Sequence, residues 1–578
     1  MTSSTHWLAS QSAMAELEAG GNAFDAAVAG AFVLHVVEPH LNGPGGEVPA
    51  VFATADDPTP TVLCGQGPAP AGATREHYLD LGLHLVPGAG PLAAAVPGAV
   101  DAWLMLAADH GTRHLRDVLS YAHGYARSGH PILPRAAALV AAMEPTFRDH
   151  WPTSAAQWLP HGRAPRPWEL VVNPAYAEVL ARLVEAGEAA GSDREAQFAA
   201  ARRAWREGFV AEAVDAFQRL PYRDSSGADH PGLVTAADMA AWQASYEPAA
   251  VHRFRDVDVA KTGTWGQGPV LLQSLAILDG MPAEALDPST VEGVHTITEV
   301  LKLAFADREA WYGEDSPVTL DQLLEPSYVA ERRHLVGDQA SPELRPGAAG
   351  GLAPRLPGHL RRTSGVPTGA GLGEPTVARS GETRGDTCHI DVVDRWGNMI
   401  SATPSGGWLQ SSPTVPELGF CLGSRMQMFW LDEGLPSSLA PGRRPRTTLS
   451  PTLVLRDGRP VLACGTPGGD QQDQWQLPFL LRHLVGGQDL QAAIDAPSFH
   501  TTSFPSSFYP REMIPGELVA EDRLGDVVLD GLAVLGHRVT RSGSWSLGRL
   551  CAVARDPGTG LLSAAANPRG SQGYAAGR

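Results

Sequence analysis

The chain has 578 residues, of which 43% are hydrophobic and 19% are charged, and its formal net charge is −19 at pH 7. By length alone, a globular chain of this size forms about two to four domains or one large α/β unit. The basic residues form no stripe along the sequence, which argues against nucleic acid as a partner.

The cysteines and the first residues bear on cellular location. Five cysteines are scattered along the chain without a CxxC pair, which is typical of a reduced, cytoplasmic protein. The first residues contain neither a basic residue nor an apolar core, so no signal peptide is predicted. The most apolar run, residues 26–37, is short, and we expect a buried helix there and no membrane partner.

Helices dominate the pattern before residue 311. Helical spacing extends over residues 14–37, and the Gly-Gly-Asn at residues 20–22 interrupts it. The interruption predicts the end of one helix and the start of a second near Asn22 or Asp25. A strand is predicted over residues 49–62. Further helices are predicted over residues 96–110, 115–128, 194–220 and 291–311.

The composition changes abruptly over residues 341–386, which are mostly Gly, Pro, Arg, Ser and Thr with almost no large apolar side chain. Such a segment cannot offset its ordering entropy by burial, so we expect it to be mobile. Its simplest interpretation is an interdomain linker. The β-rich sequence that begins at Thr387 offers a second interpretation, in which the segment ends at a site of self-cleavage.

A strand and a hairpin are predicted after Thr387. Residues 387–394 alternate in polarity, and residues 395–398, Arg-Trp-Gly-Asn, supply a turn. If those four residues are the loop, residue 388 pairs with residue 405. Ser405 then lies beside Thr387, and Thr403 lies one step along the same strand. The hairpin therefore brings three hydroxyl groups to one end of a sheet.

A threonine at a new N-terminus combines a nucleophile with a base. Its hydroxyl is weak unless a base lies next to it, and a free α-amine with a pKa of about 7.7–8 is such a base. Exposing that amine requires cleavage between Asp386 and Thr387, which the threonine hydroxyl can perform on the carbonyl before it. The charged tetrahedral intermediate also needs backbone N–H donors. Gly-rich residues 43–47 and 466–470 are candidates, although either could be an ordinary turn.

Taken together, these segments resemble the γ-glutamyltransferase family of N-terminal nucleophile hydrolases over essentially the whole chain. The similar segments follow one another in the family's order: residues 17–28, 43–46, 304–308, 387–398, 446–452, 465–469 and 567–569. The resemblance implies a four-layer αββα sandwich of the α/β (α+β) class. It also implies autocatalytic cleavage of a zymogen into two intertwined subunits, residues 1–386 and 387–578.

The resemblance also implies roles for individual residues. Thr387 is then the nucleophile, and Ser405 is the second hydroxyl that supports it. The amides of Gly468 and Gly469 form the oxyanion hole. Thr447 and Thr448 occupy the positions where the family usually has two serines, which hold the carboxylate end of the substrate.

The chain departs from the family at the side chains that bind the α-carboxylate and the α-amine of a glutamyl substrate. The arginine that holds the α-carboxylate aligns with Gln66, and the acid that holds the α-amine aligns near Met428. Arg425 lies near the position of a glutamine, and Gly407 takes the place of an asparagine. Each lost charge-assisted contact costs about 1.5–3 kcal/mol. We therefore expect weak glutathione transpeptidation, with Arg425 as a candidate to hold a substrate carboxylate from another direction.

Three functions remain open on the sequence. The first is an autoprocessing hydrolase of amide or acyl bonds other than glutathione. The second is hydrolytic C–C cleavage of a dicarbonyl-type intermediate in antibiotic biosynthesis, with an enol as the leaving group. The third is an uncut, non-catalytic binding protein, which the intact Thr387 and Ser405 argue against. No cofactor is implied, and the histidine spacings match no zinc pattern, so no metal is predicted.

Overall fold

Helices and short strands alternate along the chain in a computed structural model that describes residues 1–361, 387–569 and 572–578. The helices are α1 (Trp7–Glu18), α2 (Ala23–Val37), α3 (Arg75–Asp80), α4 (Ala99–His110), α5 (Leu115–Ser128), α6 (Pro134–Asp149), α7 (Pro152–Trp158), α8 (Pro174–Ala189), α9 (Arg194–Arg206), α10 (Phe209–Gln218), α11 (Ala236–Ala241), α12 (Pro269–Leu278), α13 (Val291–Trp311), α14 (Leu320–Leu323), α15 (Pro326–His334), α16 (Gln472–Leu480), α17 (Leu490–Asp495) and α18 (Asp526–Val534).

The strands are β1 (Thr2–Ser4), β2 (Val48–Ala53), β3 (Thr61–Gly65), β4 (His130–Pro131), β5 (Leu170–Val171), β6 (Tyr222–Arg223), β7 (Asp229–His230), β8 (Ser245–Pro248), β9 (Ala250–Phe254), β10 (Val257–Lys261), β11 (Ile390–Val393), β12 (Met399–Ala402), β13 (Thr452–Arg456), β14 (Arg459–Gly465), β15 (Phe499–Thr501), β16 (Glu517–Ala520), β17 (Arg538–Arg541), β18 (Cys551–Arg555), β19 (Leu562–Ala566) and β20 (Tyr574–Ala576).

The helix break predicted at residues 20–22 is confirmed. Asn22 is the N-cap of α2, and its side chain accepts from the amides of Phe24 and Asp25. The Asp25 carboxylate in turn accepts from the Asn22 amide at 2.9 Å, which completes a reciprocal capping box. This cap fixes where the helix that packs on the central sheet begins.

The other element predictions have mixed outcomes. The bounds of α5 and α13 are confirmed, and α4 begins three residues later than predicted. The single helix predicted over residues 194–220 is wrong, because it divides into α9 and α10 at Gly208, which caps the second helix in a non-helical conformation. The strand over residues 49–62 divides into β2 and β3, since Pro58 and Pro60 lie between them and cannot donate to a ladder.

Two antiparallel sheets form the centre of the molecule. The first has the order β20-β1-β11-β12-β2-β3-β8, and the second has the order β19-β18-β14-β13-β10-β9. Each sheet takes strands from both sides of residue 387. The polypeptide before that residue and the polypeptide after it are therefore hydrogen-bonded to one another through both sheets.

The two sheets pack face to face with helices on their outer surfaces, which confirms the αββα sandwich. Helices α2 and α4 cover the first sheet, and α12 and α16 cover the second. An apolar core that includes Val393, Met399 and Leu453 fills the space between the sheets. Among the described helices, none combines the length and apolar character that a membrane span requires.

The hairpin differs from its predicted register by one residue. Val393 pairs with Met399, and Thr387 pairs directly with Ser405, where the prediction paired residue 388 with residue 405. The physical reason is Asp394, whose Oδ1 accepts from the three successive amides of residues 396–398 at 2.9–3.0 Å. These bonds take Asp394 out of the ladder, so the loop has five residues. The shift places Ser405 opposite Thr387.

The predicted mobile segment, residues 341–386, is partly anchored. Lys302 Nζ donates to the carbonyl oxygen of Ser341 at 2.8 Å, and the Gly347 amide donates to Asp307 at 2.8 Å. The first part of the segment therefore lies against α13, held by polar contacts that its composition did not reveal. Residues 362–386, with Asp386 at the predicted cleavage site, lie outside the described residues, and the linker there stays a prediction.

Asp394 also joins the hairpin to α2, because its Oδ2 accepts from the Ala23 amide at 3.0 Å and from Asn398 Nδ2 at 2.7 Å. Asp394→Ala removes all these acceptors, so we expect the free energy of unfolding to fall by about 3 kcal/mol. The urea unfolding midpoint checks this, with Asp56→Ala in the exposed loop between β2 and β3 as the matched control. Equal midpoints for the two variants would contradict the role assigned to Asp394.

Candidate functional site

Two buried hydroxyl groups face each other where the hairpin meets the edge of β2. Thr387 and Ser405 are directly paired, and Thr387 Oγ1 donates to Ser405 Oγ at 3.3 Å. Both residues are 1% exposed. The pair is fixed on its other side by Glu47, which exchanges two backbone hydrogen bonds of 2.9 Å with Ser405. The predicted meeting of these hydroxyls is thus produced by three adjacent chain segments.

The first glycine loop, residues 43–46, packs behind this pair. A Cβ atom on Gly46 would overlap the carbonyl oxygen of Ser405, and one on Gly43 would lie 2.5 Å from the carbonyl oxygen of Gly407. Only glycine permits so close an approach of two backbones. The glycines of this loop therefore have an evident structural reason.

The second glycine loop leads from β14 into α16. Gly468 has a φ of +131°, and a Cβ atom there would overlap the ring of Trp475. Gly469 has a φ of +54°, so two successive residues adopt conformations that favour glycine. A turn of this kind can direct successive backbone amides to one point, which is the feature an oxyanion hole requires.

A buried ion cluster holds this loop in place. Asp470 accepts from the Ser507 hydroxyl at 2.6 Å and from the Ser507 amide at 2.8 Å, and it forms an ion pair with Arg308. Burial alone would favour the neutral acid, but Arg308 holds the pKa of Asp470 below its usual value. Glu309 bridges Arg308 at 2.9 Å and Arg446 at 2.8 Å. The last residue of the loop is therefore anchored by a buried network of ion pairs.

Arg425 forms a buried ion pair with Glu47. Its Nε donates to Glu47 Oε1 at 2.5 Å, and its guanidinium lies 5.8 Å from the centre of the Trp408 ring. Burial raises the pKa of Glu47, and the charge of Arg425 opposes that change. The sequence did not single out Glu47. This carboxylate already neutralises Arg425. A substrate carboxylate could bind Arg425 only if it shared the guanidinium with Glu47, so that contact stays a prediction.

The two positions where the resemblance implies the loss of a charged grip are both buried. Met428 packs with Trp408 and Phe508 in a small apolar cluster. Gln66 is 0% exposed, and its Nε2 donates to the Gly67 carbonyl at 3.1 Å while its Oε1 has no hydrogen-bond partner. Neither side chain can replace a charged contact.

The three remaining threonines differ in their surroundings. Thr447 is positioned by its amide, which donates to the Trp265 carbonyl at 2.9 Å. The buried hydroxyl of Thr448 has no hydrogen-bond partner, as expected of a group that awaits a ligand. The hydroxyl of Thr403 lies 2.9 Å from His389 Nδ1. Substrate contacts by these threonines stay predictions.

A buried His–Asp pair lies beneath the hydroxyls. His389 Nε2 lies 2.8 Å from Asp391 Oδ1, and the His389 ring occupies space that Gly465 leaves free. Burial raises the pKa of Asp391, and His389 opposes the change. The alternation of residues 387–394 puts Asp391 on the same face as Thr387, which makes it a candidate to orient the nucleophile. The structure instead gives it His389 as its partner, because that side chain precedes it on the same face.

Cys388 lies on the opposite face of the strand, where it packs in the core with the helices, as the alternation of residues 387–394 implies. Its Sγ donates to Glu38 Oε2 at 2.8 Å and accepts from Asn42 Nδ2 at 3.1 Å. Burial raises the pKa of the Cys388 thiol well above its usual value, and the charge of Glu38 acts in the same direction. The thiol is therefore a poor nucleophile despite its position next to Thr387.

One group of potential metal ligands occurs among the described residues, formed by His295, Glu299 and His537. The two rings are hydrogen-bonded to each other, with His295 Nδ1 2.9 Å from His537 Nε2. Glu299 is paired with Lys302 and with Arg345. Two cations beside the only acid make this group unfavourable for a metal ion, and we assign none.

Comparison with known proteins places this geometry in context. A family model described as Gamma-glutamyltranspeptidase matches residues 9–577. The oxamate amidohydrolase proenzyme of Klebsiella pneumoniae is 31% identical over 592 residues, covering 100% of this chain and 98% of that protein. The structure of LmbA2991T421A is 59% identical with a TM-score of 0.95, covering 100% of this chain and 98% of that one. Cephalosporin acylase from Bacillus halodurans is 26% identical with a TM-score of 0.81, covering 99% and 94%.

Removing one member of the Arg425–Glu47 pair should be far more harmful than removing both. Arg425→Met leaves Glu47 buried without its cation, and we expect a loss of about 3–5 kcal/mol in the free energy of unfolding. Adding Glu47→Gln should restore most of that loss. Urea unfolding of the wild type, both single variants and the double variant measures the coupling. Losses that simply add would contradict a direct pair.

The exposed pair formed by Arg116 and Glu188 is the matched control, since 67% of the Arg116 side chain is exposed. Arg116→Gln should change the free energy of unfolding by less than about 1 kcal/mol.

Proposed function

Because the chain belongs to the gamma-glutamyltranspeptidase family, we propose that it is a proenzyme that cuts itself before Thr387 and then hydrolyses an amide or acyl bond with that threonine. The observation that carries the proposal is the contact between Thr387 Oγ1 and Ser405 Oγ in a buried site. Family membership supports a hydrolase or transferase that associates as two processed chains. The assignment of Thr387 as the nucleophile is part of this proposal.

Self-cleavage begins with the Thr387 hydroxyl. Its oxygen attacks the carbonyl carbon of Asp386, and the bond to the Thr387 nitrogen breaks as that nitrogen takes up a proton. The product is an ester between Asp386 and the Thr387 side chain. Water then hydrolyses this ester, which releases the Asp386 carboxylate and restores the hydroxyl. The free α-amine of Thr387 is thereby created.

The same oxygen then attacks the substrate. The α-amine accepts the hydroxyl proton as the oxygen bonds to the acyl carbon, and the amides of Gly468 and Gly469 stabilise the oxyanion. The proton passes to the leaving group when the tetrahedral intermediate collapses to an acyl-enzyme. Water then attacks the acyl-enzyme in the same way and releases the acid. Ser405 accepts a hydrogen bond from the nucleophile and so holds its oxygen in position.

The substrate differs from glutathione in this proposal. Buried Gln66 and Met428 supply no charge for a glutamyl zwitterion, and Glu47 neutralises Arg425. The relative named for oxamate supports a smaller substrate, since oxamate is an amide joined directly to a carboxylate. Acylases in the same family also support amide bonds outside glutathione.

Hydrolytic C–C cleavage of a dicarbonyl-type intermediate in antibiotic biosynthesis is the second candidate. The absence of charged side chains at Gln66 and Met428 favours this reaction equally. The same nucleophile and oxyanion donors can catalyse it when the leaving carbon departs as a stabilised enol. Product analysis separates the two candidates. Release of a small acid from an enol-forming substrate indicates C–C cleavage, and release of an amine indicates an amidase.

The cytoplasmic location stays a prediction.

Self-cleavage is tested by mass analysis under denaturing conditions. The purified protein should give two fragments, of which the smaller begins with Thr387, and Thr387→Ala should remain one chain because the attacking oxygen is lost. Thr559→Ala, at an exposed turn between β18 and β19, is the matched control and should be cleaved. A new N-terminus at another residue would overturn the nucleophile assignment, and an uncut wild-type chain would indicate a binding protein.

Specificity is tested with γ-glutamyl-p-nitroanilide as donor and glycylglycine as acceptor. Without a charged grip at Gln66 and Met428, turnover should fall well below the kcat of about 10 s⁻¹ that is the median for enzymes. Initial rates on the processed protein, with simple acyl p-nitroanilides measured in parallel, provide the comparison. Efficient transpeptidation would refute the proposed loss of glutathione chemistry.

A further inference from the structure

Asp391 belongs to a row of three side-chain pairs that begins at the nucleophile. Antiparallel strands alternate hydrogen-bonded and non-hydrogen-bonded pairs, and side chains approach more closely in the second kind. The Cys388 amide donates to the Pro404 carbonyl at 2.9 Å, which marks a hydrogen-bonded position. The non-hydrogen-bonded pairs on the face between the sheets are therefore Thr387–Ser405, His389–Thr403 and Asp391–Ser401. Along this face, His389 lies between Asp391 and the nucleophile.

The two hydrogen bonds of the His389 ring fix where its proton lies. A carboxylate can only accept, so the ring donates from Nε2 to Asp391 Oδ1, which is 2.8 Å away. In the neutral ring the other nitrogen, Nδ1, then carries no proton and accepts from the Thr403 hydroxyl at 2.9 Å. Asp391 therefore selects the tautomer of His389, and through that ring it sets the direction in which Thr403 donates.

The His389 ring also packs against the strand that leads into the second glycine loop. Gly465 is the last residue of β14, and a Cβ atom on it would lie 2.2 Å from His389 Cε1. Only glycine leaves room for the ring at this position, three residues before Gly468. The ring therefore joins the strand of Thr387, in one sheet, to the base of the proposed oxyanion loop, in the other sheet.

Stability alone is a weak reason for a carboxylate at this position. The side chains of Asp391, His389 and Thr403 are all fully buried. Removing a carboxylate from water is costly, and well-packed apolar residues of similar volume are often at least as stable as a buried charged pair. A polar network that is fully hydrogen-bonded does, however, hold its members in one arrangement. Geometry is therefore what this network contributes.

We propose that Asp391 is a positioning residue for catalysis, which holds the strand of Thr387 against the second glycine loop by fixing the tautomer of His389. This inference rests on the proposed function, because it concerns the same nucleophile and the same oxyanion donors. The attacking oxygen and the loop amides must meet at one carbonyl group, and a displacement of about 1 Å can reduce a rate about 100-fold. No proton passes to Asp391 or His389 in this role.

The rate of self-cleavage tests the inference in the full-length chain. Wild type, Asp391→Asn and Asp391→Leu are made by cell-free synthesis, and the cut before Thr387 is followed over time on denaturing gels. The asparagine carbonyl can still accept from His389 Nε2, so Asp391→Asn should remain within about 10-fold of the wild-type rate. Leucine has a similar volume but no acceptor, and Asp391→Leu should be about 100-fold slower.

Ser3→Ala is the matched control for loss of a buried hydrogen bond. Ser3 is paired with Asp391 across the ladder of β1 and β11, and its hydroxyl donates to the Ala565 carbonyl at 2.7 Å. The substitution leaves the contacts of His389 in place, so it should lower the urea unfolding midpoint without changing the rate of self-cleavage. Rates are compared in buffer without urea, where the unfolding curve of each variant shows a folded protein.

Thr403→Val keeps the test decisive if Asp391→Leu does not fold. It removes the hydroxyl that donates to His389 and preserves the shape of the side chain, so self-cleavage should slow at least about 10-fold. A wild-type rate in Asp391→Leu or in Thr403→Val overturns the inference and leaves the proposed function intact, since the chain is still cut.

Two further outcomes are decisive. Asp391→Asn as slow as Asp391→Leu refutes a role through the tautomer, because the asparagine retains the acceptor. A wild-type chain that is never cut before Thr387 refutes the proposed function together with this inference.

Discussion

Direct pairing of Thr387 with Ser405 is the constraint on which the rest of the site depends. It requires the five-residue loop that Asp394 organises, because a shorter loop would shift the register by one residue and turn one hydroxyl to the opposite face. It also requires β2, because the backbone of Glu47, the residue directly before β2, is hydrogen-bonded to Ser405. Since both central sheets interleave strands from either side of residue 387, cleavage there would leave every ladder intact.

Buried ion pairs support this centre. Arg308 is neutralised by Asp470 and Glu309, and Arg425 is neutralised by Glu47. These pairs fix the positions of the glycine loop and of the segment after β12. Such pairs are typical of structural support.

Several features could be predicted from the sequence because they depend on local chemistry. The break between α1 and α2 follows from Gly-Gly-Asn, and the alternation after Thr387 places Cys388 among the helices and His389 between the sheets. Two predictions were wrong for equally local reasons. The helix over residues 194–220 divides at Gly208, and the side chain of Asp394 withdraws its own residue from the ladder.

The sequence by itself determined the two hydroxyls, the two glycine loops and the order of the segments that resemble a known family. It could not determine which charges meet, because periodicity carries no information about contacts between residues hundreds of positions apart. Glu47 and Arg425 are separated by 378 residues, and only the packing of the two sheets brings them together. Long-range burial sets the energies of such contacts, and local sequence does not encode it.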